Sequence, residues 1–280
     1  MMLAGSLKGL GLSLVVTGAA IYGVSGGPEE SPIAAMLGVL IMVAGILLYF
    51  RGRQHTARSR APRILEDSRP DVVYLRTFRA DPSTIVRGLM QGFTTDEEQL
   101  ADVLRPFGDL IAIGRPGESL PLPGAARMYA SDAQWQDAVI VRIAAAPLVV
   151  VRAGVGAGLL WELEHTVRNV DPKKVIIWIL NLQKTEYATF CDQVKTQLGI
   201  ALPHIRPFGL FAAMLNRQNS PSKVTSGFIR FSQAWQPSFL PLPTVWAQFG
   251  YNDLRKAFSV ALRPLFEEHG LQWRVLGRFD

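Results

Sequence analysis

Apolar and polar positions follow two different rhythms along this chain. Up to residue 50 the pattern is one of long uncharged runs, between Lys8 and Glu29 and between Glu30 and Arg51. Each run holds the roughly 20 apolar residues a helix needs to cross about 30 Å of hydrocarbon. The second, residues 33–50, is the more hydrophobic and ends on Tyr49 and Phe50, where an interfacial aromatic belt would lie. The first is richer in glycine, and a signal peptide is its alternative reading, although no small-x-small cleavage site follows. Ala34, Gly38 and Gly45 are small residues that allow helices to approach closely. Together these features predict a transmembrane helical hairpin over residues 1–50.

From Pro70 the rhythm shortens. Residues 51–70 carry arginines and two prolines without an apolar period, which predicts a basic juxtamembrane linker. Beyond it, short β-branched runs alternate with helical spacing. Val72 to Leu75 predicts a strand. Thr95 and Glu98 form a capping box ahead of Leu100, Val103, Leu104 and Phe107 at i, i+3, i+4, i+7. Strands are expected at 109–114, 147–151 and 174–180. A second capping box, Ser131 with Gln134, opens a helix bearing Trp135, Val139 and Ile143, and a further helix spans about 158–170. The alternation predicts an α/β domain over 71–182 built on a doubly wound parallel sheet.

Residues 183–280 read as a C-terminal elaboration packed on that domain. Expected there are a helix at 185–198 stopped by Gly199, an irregular stretch at 203–221 with an apolar patch at 208–211, and a strand at 227–235. A helix at 252–269 containing Pro264, with a kink there, and a strand-like run at 271–275 complete the reading.

Charge sharpens the picture. Most of the net charge of +6 resides in Arg51, Arg53, Arg58, Arg60 and Arg63. Positive flanks stay inside, so the hairpin should run in–out–in with the main domain in the cytoplasm. The collar suits anionic lipid headgroups. The nearly balanced remainder argues against a nucleic-acid partner. The lone Cys191 excludes an intramolecular disulfide framework, and His55, His165, His204 and His269 lack metal-ligand spacing, so no metal is expected.

In such sheets, ligands sit beyond the carboxyl ends of the strands. Several candidates converge on that rim: Arg79 and Asp81 after the first strand, Arg115 after the second, and Arg152 before the helix that carries Trp161, Glu162 and Glu164. Single arginines at strand ends, His165 and a helical Glu162 are by themselves ordinary surface residues, and Trp161 suits packing as well as binding.

Residues 77–81, Thr-Phe-Arg-Ala-Asp, resemble the S-F-R-G-x-D signature after the first strand of TIR domains. Ala80 takes the glycine place and the spacing is one residue shorter. Trp161-Glu162-Leu163 is similar to the W-C-x-x-E-L start of the third TIR helix, with the tryptophan directly before the glutamate. Residues 115–131 occupy the place of the BB loop. The same W-E-L also resembles nucleoside deoxyribosyltransferases, where a glycine follows in place of Glu164.

The resemblance implies a flavodoxin-like fold and chemistry at a glycosidic bond. Glu162 (or, second, Glu164) would grip the ribose of NAD, a substrate rather than a cofactor, with Arg79 and Arg115 on phosphates. It also implies homo-oligomers, either as NAD-cleaving enzymes or as non-enzymatic signalling modules. Combined with the hairpin, it places the chain in a bacterial inner membrane, where a third reading makes the hairpin a membrane-disrupting element.

Overall fold

The computed structural model describes residues 2–66, 70–77, 95–114, 125–129, 135–207, 222–243 and 254–276. The chain divides into two compact units, one built on Met1–Glu66 and the other holding the sheet.

The first unit is a pair of antiparallel helices, α1 (Met2–Val24) and α2 (Pro32–Glu66). Both contain spans long and apolar enough to cross a membrane, Ser6–Val24 and Pro32–Tyr49, with mean hydropathies of 1.5 and 2.4. Glycine sets their approach. A Cβ on Gly18 would stand 2.5 Å from the Gly38 carbonyl oxygen, and one on Gly45 would stand 2.6 Å from that of Gly11. Gly11 and Gly18 thus face Gly45 and Gly38 in a seam of seven-residue spacing, which only Cβ-free residues can line this closely. The buried alanine of this seam is Ala35, not its neighbour Ala34. Large apolar side chains such as Val16, Leu40 and Leu47 turn outward, more than half exposed.

The helix α2 does not stop at the end of the apolar run. It continues to Glu66, so the expected linker at 51–70 is mostly helical. Adding residues to an existing helix avoids the costly first turn, so the collar needs no apolar period of its own.

The second unit is an α/β sandwich on a seven-stranded sheet in the order β3-β2-β1-β4-β5-β6-β7. The strands are β1 (Asp71–Leu75), β2 (Asp109–Gly114), β3 (Ala126–Tyr129), β4 (Val149–Arg152), β5 (Val175–Ile179), β6 (Gly227–Phe231) and β7 (Pro237–Pro241). The first five are parallel. They form the parallel sheet expected over 71–182, and the C-terminal residues extend it at one edge, where β6 runs antiparallel to β5 and β7 to β6. The expected strand at 271–275 is absent, and those residues form no regular element.

The helices are α3 (Asp96–Leu104), α4 (Trp135–Ala145), α5 (Ala157–Asn169), α6 (Lys184–Leu198) and α7 (Leu254–Glu268), the last running through Pro264. They cover both faces, and the two-residue period of the strands sorts the core accordingly. Val73, Leu75, Val149, Val151, Ile177 and Ile179 face α4, α5 and α6. Val72, Tyr74, Val150, Ile176 and Trp178 face α3 and α7. All five residues of β5 are apolar and fully buried, as expected for an interior strand covered on both sides.

Candidate functional site

The strand order reverses between β1 and β4, since β2 and β3 extend the sheet to one side and β5 to the other. The carboxyl ends of β1 and β4 therefore flank the crevice where doubly wound sheets bind ligands.

The turn leaving β4 is Ala153-Gly154-Val155-Gly156-Ala157-Gly158, and it opens α5. Thr77, just past β1, lies against it: a Cβ on Gly154 or Gly156 would come within 3.3 Å of the Thr77 methyl. Gly156 is the N-cap and supplies no side-chain cap. The amides of the first helical turn have no carbonyl one turn back to bond, and such amides suit an anion. The three alternating glycines resemble a phosphate-binding turn in placement, directly after a strand and at a helix start. The glycine spacing at 154, 156 and 158 is the sequence signal for this turn.

Glu162 lies in the second turn of α5, roughly 9 Å along the axis from Gly156 at 1.5 Å per residue. It is not the solvated carboxylate expected from its sequence position. Only 4% of it is exposed, and it shares a flank of the helix with buried Leu159 and Thr166. Burial alone pushes its carboxyl up to about 8, so at neutral pH the group is mostly the neutral acid. Thr166 donates its hydroxyl hydrogen to the Glu162 main-chain oxygen at 2.7 Å, which fixes this turn. Glu164, by contrast, pairs on the surface with Arg168.

Trp161 is held between protein rings. It meets Trp135 edge to face at 5.1 Å and stacks on His165 at 5.9 Å. His165, expected to be a surface residue without a partner, thus belongs to an aromatic cluster between α4 and α5.

The opposite face of the sheet carries a charged cluster. Arg76, just past β1, pairs with Glu97 of α3 at 3.4 Å, and the two side chains are 17% and 6% exposed. Arg152, at the end of β4, lays its guanidinium over the Trp178 ring at 4.8 Å. Burial works to lower the Arg152 pKa, but Tyr74, Asp96 and Glu97 outweigh it and hold the group charged. Reading Arg152 as a surface arginine was therefore incorrect. The structure does not bring Glu162 onto the same face as Arg76 or Arg152. They flank one sheet edge from opposite sides. Arg79, Asp81 and Arg115 lie outside the described residues, as do the second capping box, the patch at 208–211 and most of the 115–131 loop.

No protein-family model, no curated protein and no solved structure matches this chain.

Proposed function

We propose that this chain is a bacterial inner-membrane protein whose cytoplasmic, TIR-like α/β domain binds a nucleotide at the β1/β4 crevice and cleaves its N-glycosidic bond, with NAD as the substrate. The phosphates would rest on the 154–158 turn, with Arg79 and Arg115 as the expected additional contacts, and Glu162 would engage the ribose. The observation that carries this reading is Glu162, buried and with no charged partner among the described residues, behind a glycine turn at the switch point. Nicotinamide already leaves NAD as a neutral molecule, so the useful form of Glu162 is the carboxylate, whose negative charge stabilises the positive charge developing at the anomeric carbon.

The test is nicotinamide release by the full chain in lipid nanodiscs, beside Glu162→Gln. Turnover should fall at least about a hundredfold in the variant. In the wild type it should climb with pH, reach half its plateau near pH 8, where half of the groups are carboxylate, and level off above that. The hairpin concentrates the domain in two dimensions, and homo-oligomers on a membrane follow naturally. Arg51, Arg53, Arg58, Arg60 and Arg63 supply the attraction to anionic headgroups.

A second reading is a non-enzymatic signalling or scaffolding module at the membrane. The 4% exposure of Glu162 favours it, because so little surface remains for a substrate to touch. Absence of nicotinamide release from wild-type protein at any pH from 6 to 9 selects this reading.

A further inference from the structure

A cleft of about 650 Å³ opens between the last turn of α3, one side of α7 and residues 271–276, within the α/β unit. It involves none of the residues at the β1/β4 crevice. Its volume lies within the roughly 300–1,000 Å³ range of small-molecule sites.

The cleft combines two chemistries. Val103, Phe266, Leu271 and Leu276 contribute apolar surface. Arg105, Arg255 and Arg274 contribute positive charge, and Asp102 is the one carboxylate among the described lining residues. Arg105 and Arg255 both reach that carboxylate, at 2.9 and 3.3 Å, so one acid is shared by two guanidinium groups. The Arg255 side chain is only 15% exposed, whereas Arg105 is 69% exposed at the mouth.

The outer wall is held in place. Trp273 donates its indole hydrogen to the Ser259 carbonyl at 2.7 Å, and Arg263 covers the Trp273 ring at 4.9 Å. The Leu276 amide donates to the Ser259 hydroxyl oxygen at 3.3 Å. These contacts fasten an irregular segment against α7, so the cleft exists before any ligand arrives. A preformed site spares the ligand an ordering cost.

We propose that this cleft binds a small amphipathic anion, with its charged head among Arg105, Arg255 and Arg274 and its apolar body over Val103, Phe266 and Leu276. A purely polar anion would leave the apolar floor wetted. A neutral apolar molecule would make no use of the Arg105 and Arg274 guanidinium groups. Only a ligand carrying both features satisfies the lining.

The test uses the full chain in phosphatidylcholine nanodiscs, with protein-free discs subtracted, and anilinonaphthalene sulfonate as a fluorescent amphipathic anion. One saturable site per chain is expected, displaced by decanoate but not by inorganic phosphate or decanol. Arg105→Glu with Arg274→Glu should weaken binding roughly tenfold or more, the worth of a charge-assisted contact. Leu271→Trp, which fills the cleft without changing its charge, should abolish it. Thermal unfolding of both variants checks that they fold. Displacement by phosphate alone, equal displacement by decanol, or unchanged affinity in the folded variants would each overturn the proposal.

Discussion

Two glutamates on opposite faces of the sheet show how differently one chain can bury the same side chain. Glu97 and Glu162 are 5% and 4% exposed, and each sits near the start of a helix that begins beside the sheet. Glu97 occupies the first turn of α3, where the macrodipole favours negative charge, and it faces Arg76 at 3.4 Å. Glu162 has no charged neighbour among the described residues to oppose its desolvation and is driven toward the neutral acid. The first arrangement is what a fold does with a carboxylate it must hold. The second is tolerated where a carboxylate serves another purpose, and perturbed groups of that kind gather at functional sites.

The comparison can be broken at several points. Arg76→Ala removes the guanidinium paired with Glu97 while Arg152 stays nearby, and should cost about 1–3 kcal/mol, measured by chemical denaturation of the full chain in nanodiscs. A loss under about 1 kcal/mol would mean that Glu97 is no better supported than Glu162. Thr95→Ala removes the cap that orients the Glu97 turn. Thr95 accepts from the Glu98 amide at 3.1 Å, while Glu98 accepts from the Thr95 amide at 2.8 Å. The same measurement should show a loss of about 1 kcal/mol. Glu164→Ala removes only an exposed i,i+4 pair with Arg168, so stability should change by no more than about 0.5 kcal/mol. Nicotinamide release should also stay unchanged. A large loss of turnover in that variant would transfer the proposed role from Glu162 to Glu164.

Much of this architecture was legible in the chain. The apolar runs at 72–75, 109–114, 147–151 and 174–180 became β1, β2, β4 and β5 because buried parallel strands need apolar residues on both faces. The Thr95 capping box formed as read. Other parts were hidden for physical reasons. Pro237 and Pro241 bound a strand that no expected element covers, and prolines are accepted there because β7 is at the sheet edge. The four residues of β3 follow a proline- and glycine-rich stretch and carry no apolar period. The glycines at 11 and 18 gain meaning only from partners at 45 and 38, a relation that no local pattern records.

The candidate site was legible in part. Helical spacing puts Glu162 and Thr166 off the apolar stripe of Leu160, Leu163, Val167 and Val170, and only tertiary packing decides that their flank is covered as well. The sequence pointed to the residue but not to its charge state.

That charge state offers the sharpest test. With the folded pKa near 8 and the ordinary value at 4.5, the native state holds a proton that the unfolded chain releases between these pH values. Stability conferred by this site therefore falls as pH rises through that window. Glutamine keeps the shape and the neutral charge at every pH, so it escapes the penalty. The measurement is the unfolding free energy of Glu162→Gln minus that of the wild type, in nanodiscs, from pH 4.5 to 8. The predicted difference is near zero at pH 4.5 and grows to about 3 kcal/mol in favour of the variant at pH 7, while the variant loses turnover. A flat difference, or a variant less stable than wild type at pH 7, would contradict the assignment of Glu162 as a buried acid held for function.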